Sequence, residues 1–140
     1  MDARVTFTLH ELVHELDRQA DGILRRALGI TYSQFLFLAC LESGPLEAAR
    51  LAERLGVSRA AVSQRLDWFA QRELAIVSRD GTRSVRIELS ERGRTLLGQA
   101  SNLLESTMHE VIGSNSAIDL AELNETLHHL LETVRNNPRS

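Results

Sequence analysis

The chain has 140 residues, a formal charge of −3 and 43% hydrophobic residues, which fits a globular domain and excludes a disordered one. No apolar run approaches the ~18 residues of a membrane span. The first ten residues lack the basic-then-apolar order of a secretory signal. Cys40 is the single cysteine, so no internal disulfide can form. A reduced, cytoplasmic protein with no membrane partner is expected.

Leu9, Leu12, Val13, Leu16, Ala20, Ile23, Leu24 and Leu28 recur at helical spacing and predict a long first helix over about 7–28, stopped by Gly29. Thr31 caps a second helix to about Leu41, with Phe35, Leu36 and Leu38 apolar, and Gly44-Pro45 breaks it. A short helix runs from about Glu47 to Leu55 with Leu51, Ala52 and Leu55 inward. Gly56 ends it, and Ser58 is the N-cap of the next, which continues to about Arg72. Val62, Leu66 and Phe69 form that helix's inner stripe. The period then falls to two. Val85, Ile87 and Leu89 alternate with Ser84, Arg86 and Glu88, Ala75–Arg79 is the partner strand, and Asp80-Gly81 marks the turn between them. Ser90 caps a further helix through Met108 and Val111, and Gly113 to Ser116 is a loop. A last helix over about 120–134 places Leu120, Leu123, Leu127, Leu130 and Val134 at spacings of 3, 4, 3 and 4, a heptad seam.

Charge is unevenly spread. Residues 50–94 hold ten Arg against six acids, whereas the rest of the chain holds six Arg against thirteen acids. Residues 47–72 have the layout of a helix-turn-helix, whose second helix enters the major groove near its N-terminal end. Opposite the inner stripe stand Ser58, Arg59, Ala60, Ser63 and Gln64. Small residues permit close approach, Gln64 can pair with adenine, and Arg59 or Arg65 with guanine or phosphate. The following hairpin carries Arg79, Arg83 and Arg86 around its tip, a wing suited to the electronegative minor groove. Arg50 and Arg54 on the preceding helix are phosphate-contact candidates.

The run Leu46-Glu47-Ala48-Ala49-Arg50-Leu51-Ala52-Glu53-Arg54-Leu55-Gly56-Val57-Ser58-Arg59-Ala60-Ala61-Val62-Ser63-Gln64 resembles the MarR family of winged helix-turn-helix bacterial transcription regulators. Val85-Arg86-Ile87-Glu88-Leu89-Ser90-Glu91-Arg92-Gly93 is similar to that family's wing strand and the "L-T-x-x-G" start of its next helix. The resemblance implies a mainly α fold with a small antiparallel β-hairpin wing. It implies a homodimer built by residues 1–30 and 95–140, around a winged DNA-binding region at 31–94, as one intertwined domain. It further implies a pseudo-palindromic duplex DNA operator and release by a small effector. Two departures stand out. Counting back from Gly93, Arg83 falls on the Arg of the family's wing "D-x-R", but Gly81 falls where its Asp belongs and Asp80 comes one residue early, so the wing is short. Glu73 stands where the family tends to place Gly after the recognition helix, so a different helix end is expected.

The dimer expectation also has a basis in the apolar stripes: Leu9, Leu12 and Leu16 on the first helix, and Leu120, Leu123, Leu127, Leu130 and Val134 on the last, exceed what one chain hides. For an effector, a small aromatic or apolar acid, the resemblance points to a cleft near His14, Tyr32, Phe35 and Trp68. His10 and His14 share a face, and His109, His128 and His129 lie on late helices, but no ligand cluster forms and no metal or cofactor is expected. Cys40 reads as an inert thiol. No phosphate loop, HExxH or nucleophile elbow occurs, so no enzyme is expected. The leading reading is a DNA-binding repressor. A metal- or redox-responsive regulator and a winged-helix protein–protein adaptor stand beside it.

Overall fold

Twenty-four residues without a proline form the first helix, α1 (Val5–Leu28), closed by Gly29 in the left-handed region. The structure, a computed structural model, describes residues 4–79 and 85–139. The next elements are α2 (Tyr32–Cys40), β1 (Leu46–Glu47), α3 (Ala48–Leu55), α4 (Arg59–Gln71), β2 (Ala75–Arg79), β3 (Val85–Leu89), α5 (Glu91–Gly113) and α6 (Leu120–Arg135). The chain divides into two compact units, residues 1–101 and 102–140.

In the first unit, Phe37, Leu38, Leu41, Leu51, Ala52, Val62, Leu66, Phe69, Leu74, Ala75, Ile87, Leu89 and Leu97 make one core. Phe37 and Phe69 stack at its centre, ring centroids 4.1 Å apart, which locks α2 against α4. A sheet of order β1-β3-β2 closes one side, both pairs antiparallel. The two-residue β1 was not expected. Leu46 and Glu47 lie opposite Ile87 and Arg86, so Glu47 belongs to the strand and the N-cap, not to the helix predicted from it. Within α2 the inward residues are Phe37 and Leu38, and Leu36, read as apolar with Phe35 and Leu38, is exposed.

Two polar joints fix the helices. Thr31 and Gln34 form a reciprocal capping box at the start of α2. Asp21 of α1 accepts from the Tyr32 backbone N–H at 2.9 Å and from Arg25 Nε at 2.7 Å. The Tyr32 amide, then Arg25, holds the Asp21 carboxyl below the usual carboxylate range. A depressed folded-state value means stability that is complete above the unfolded value of about 3.9 and lost as pH falls through the folded one. The melting-temperature deficit of Asp21→Ala should therefore be full at pH 7, shrink below about pH 4 and vanish in stronger acid. An unchanging deficit across that range would mean that the carboxylate charge plays no part.

The end of α4 departs from expectation. Glu73 adopts φ 57°, in the left-handed region that favours glycine, so α4 ends in a glycine-like conformation despite the side chain. Its neighbours compel it. Leu74 N–H donates to the Phe69 carbonyl at 2.9 Å, Leu74 is buried, and the Ser90 hydroxyl donates to the Glu73 carbonyl. The strain is about 1 kcal/mol. Glu73→Gly should raise the melting temperature by roughly 3 °C. A lower melting temperature would mean that the Glu73 side chain contributes more than its backbone costs.

In the second unit α6 starts at Asp119, whose carboxylate accepts from the Ala121 and Glu122 backbone N–H groups. It buries no residue: Leu120 and Leu123 are half-buried, and Leu127, Leu130, Leu131 and Val134 are exposed. On α1 only Leu24 is buried; Leu9 and Leu16 are half-buried, and Val5, Phe7, Leu12 and Val13 are exposed. Among the described residues no helix is long and apolar enough to cross a membrane.

Candidate nucleic-acid interface

The turn between α3 and α4 takes three residues, and its geometry requires a glycine. Gly56 has φ 67° and ψ 33°, accessible without penalty only to a residue lacking Cβ. The Val57 N–H then reaches back to the Ala52 carbonyl at 3.0 Å, and Ser58 Oγ accepts from the Ala61 N–H at 3.1 Å. Helix α4 is thus anchored at its first turn by a cap and along its length by buried Val62, Leu66 and Phe69.

That anchoring leaves Ser58, Arg59, Ala60, Ser63 and Gln64 exposed, as the periodicity indicated. Asp67, one turn beyond Ser63, is exposed with them. Its position in the helical period would have shown this; attention to cations alone passed it over. Arg65 differs from the others. It is half-buried and lines a groove of about 340 Å³ with Thr31, Ser33, Gln34, Gln64 and Trp68. It therefore lies on the flank of α4, toward the start of α2. Of the residues it meets there, the sequence had marked Thr31 as a helix cap, and Ser33 and Gln34 carried no signal.

The arginines of α3 separate. Arg50 is exposed, whereas Arg54 Nη1 donates to the Cys40 carbonyl at 3.0 Å and ties α3 to the end of α2. Burial pushes the Cys40 thiol up, with Arg54 pulling the other way, so its thiolate is scarce near neutrality. In the wing, Arg79 pairs with Val85 and Arg86 with Ser78. Since alternate residues face opposite sides, Arg79 shares a face with Ala75 and Val77, and Arg86 shares the other with Ile76 and Ser78. The two were expected together around one tip; they present to opposite sides of the ribbon. Glu47 lies opposite Arg86 on its other neighbour strand. Arg83, with Asp80 and Gly81, lies outside the described residues.

The four residues expected to form one effector cleft do not share a cavity. His14 borders a groove with Thr8, Glu11, Leu12 and Glu15 on α1 itself. The Tyr32 and Phe35 rings stack at 5.9 Å. Trp68 borders the groove beside Arg65 and a second cavity of about 500 Å³ with Arg72 and Arg92. Trp68 and Arg72 stand one helical turn apart, a spacing legible in the sequence. No three His, Cys, Asp or Glu gather to hold a metal ion among the described residues.

Comparison with known proteins agrees with this geometry. The MarR family model matches residues 28–84. No curated protein matches the chain in sequence. The transcriptional regulator BldR from Sulfolobus solfataricus superposes with a TM-score of 0.79 at 21% identity, over 95% of this chain and 99% of its own. Wild-type MarR from E. coli, in its apo form, gives 0.79 at 22% identity, over 96% and 98%. The M. tuberculosis regulator MosR, in complex with DNA, gives 0.66 at 26% identity, over 94% and 96%. The winged helix-turn-helix expected from the sequence is borne out: residues 28–84 carry the MarR family's sequence pattern, within a chain that has the fold of its transcription regulators.

Proposed function

We propose that this chain binds duplex DNA as a homodimer at a pseudo-palindromic operator, with α4 in the major groove, and represses transcription by occupying the promoter. A small apolar or aromatic acid acts as the releasing effector. The observation that carries the DNA reading is the rigidly anchored outer face of α4, where Arg59, Ala60, Ser63 and Gln64 are exposed together. Arg50 on α3 and Arg79 and Arg86 on the wing are exposed as well. The dimer reading is supported within each unit by uncovered apolar residues: Phe7, Leu12 and Val13 on α1, and Leu127, Leu130 and Val134 on α6.

The test is footprinting and fluorescence anisotropy on the DNA upstream of the chain's own gene. Gln64→Ala should cost about 1–3 kcal/mol on the operator and flatten preference at one base pair in each half-site. Arg86→Ala should weaken all sequences alike and lower the salt slope by about one. Binding without sequence preference, or Gln64→Ala indistinguishable from wild type on the operator, rejects readout by α4. A protein–protein adaptor would protect no operator at all.

A further inference from the structure

The outer face of α4 carries one acid among its polar residues. We propose that Asp67 selects a cytosine in the operator and rejects the other three bases there, at the base pair next to the one met by Gln64. This determinant belongs to the DNA reading proposed above and rests on it. Ala60, Ser63, Gln64 and Asp67 are all exposed and stand at i, i+3, i+4 and i+7 along α4. That is the spacing by which a single homeodomain helix meets bases in the major groove. Seven residues turn a helix through about 700°, so Asp67 points within about 20° of the direction of Ala60. They advance it by about 10 Å, which the major groove, about 12 Å wide, accommodates.

Among the described residues nothing in the chain needs a carboxylate here. Asp is one of the poorer helix formers, and Asp67 lies well beyond the first turn of α4, where a helix dipole favours an acid. The residues three and four positions away are Ser63, Gln64, Ala70 and Gln71, none of them a cation. The nearby arginines of α4 are turned elsewhere. Arg65 is half-buried in the groove toward α2, and Arg72 Cζ lies 4.0 Å from the Trp68 ring centroid. Asp67 makes no hydrogen bond or ion pair among the described residues.

A carboxylate offers only acceptors. Cytosine is the one base whose major-groove edge presents a donor, the N4 amine, and no acceptor. Guanine presents two acceptors and thymine one. Adenine sets its N7 acceptor beside its N6 donor, an edge matched by the amide of Gln64 and not by a carboxylate. Asp67 therefore gains a hydrogen bond at cytosine and meets an opposing acceptor at every other base. On DNA out of register the same carboxylate faces the phosphates with no base to offset the repulsion. It thus lowers non-specific affinity and sharpens the contrast with the operator. Gln64 and Asp67 are about 4.5 Å apart along the helix axis, little more than one base step of about 3.4 Å, so the two meet neighbouring pairs.

The test selects duplexes from a randomised library with the full wild-type chain, then measures anisotropy on the selected sequence and on its single-pair changes. Asp67→Ala and Asp67→Asn are treated in the same way, with Gln64→Ala marking the reference pair. Both Asp67 variants should melt no lower than wild type, because the side chain is exposed and unpaired among the described residues. In wild type, replacing the cytosine beside the Gln64 pair should weaken binding about fivefold or more. Asp67→Ala should bind all four bases there within about twofold and bind unrelated duplex about threefold more tightly. Asp67→Asn, with the donor and acceptor of an amide, should exchange cytosine for adenine. An unchanged preference at every pair in Asp67→Ala overturns the proposal, as does weaker binding to unrelated duplex. A uniform loss on all sequences also overturns it, by giving Asp67 a structural part instead. If Gln64→Ala flattens its pair and Asp67→Ala flattens none, the DNA reading stands and this determinant alone falls. A wild type that enriches no sequence removes both.

Discussion

Gly93→Ala should cost about 3 kcal/mol of stability, at the upper end of overpacking effects, and lower the melting temperature by roughly 10 °C. Gly93 is buried in the first turn of α5, where that helix crosses the segment leaving α4. A Cβ built there would run into the Leu74 carbonyl oxygen and would stand 3.1 Å from its carbonyl carbon. Neither partner can yield cheaply. The Leu74 carbonyl accepts from the Ser90 N–H at 3.1 Å, Leu74 itself is in the core, and the Gly93 N–H donates to Ser90 Oγ at 2.9 Å. Ser90 also holds the Glu73 carbonyl, so one residue joins the strained end of α4 to the start of α5. Gly98, five residues on, is the control. A Cβ there meets nothing within 4 Å, and Gly98→Ala should gain up to ~1 kcal/mol from helix propensity. Thermal melts of the two variants decide the matter. Equal behaviour of the pair would mean that α5 does not approach the Leu74 backbone so closely.

This junction shows what a one-dimensional reading can and cannot reach. The period of apolar residues located every helix, because burial on one face imposes it whatever the neighbours are. It also located β3, where Val85, Ile87 and Leu89 alternate with polar residues, and the Asp80-Gly81 turn signal supplied its partner Ala75–Arg79. A two-residue strand such as Leu46–Glu47 has no period to detect; it exists only because β3 lies beside it. Glu73 was legible as an anomaly but not in its outcome. Local preference opposed the left-handed conformation, and tertiary hydrogen bonds with buried Leu74 overrode it.

The candidate interface divides along the same line. The exposed face of α4 followed from Val62, Leu66 and Phe69 being inward, so Ser63 and Gln64 had to be outward. Arg54 looked equivalent to Arg50, and only the fold brings the Cys40 carbonyl, fourteen residues away in sequence, within reach of its guanidinium. Strand alternation already implied that Arg79 and Arg86 need not share a face, but their register across the hairpin was required to assign each to its side. The cavity of Trp68, Arg72 and Arg92 joins residues from three separate helical ends. No local pattern connects Leu28 with Leu96, so it could not have been read along the chain.

Replacing both Leu127 and Leu130 with Asp should abolish the proposed dimer. Within α6 these residues lie three apart on the seam that runs from Leu120 through Val134, and their side chains are 45% and 43% exposed in the chain by itself. Leu131 and Val134 extend the same apolar surface. Uncovered surface of this kind loses about 25 cal/mol for each Å² left in water, and a two-fold pairing covers it on both copies at once. Two carboxylates per chain at the centre of such a pairing bring four charges into a desolvated seam, a penalty that the remaining leucines cannot offset. Sedimentation should show wild type as a dimer at micromolar concentration and the double variant as a monomer. Because α6 buries none of its residues within the chain, the core around Phe37 and Phe69 is expected to persist in that monomer, with helical circular dichroism largely retained. A monomeric wild type would overturn the dimer outright. A dimeric double variant would move the interface off α6 and leave the exposed Phe7, Leu12 and Val13 of α1 as the surface to test next.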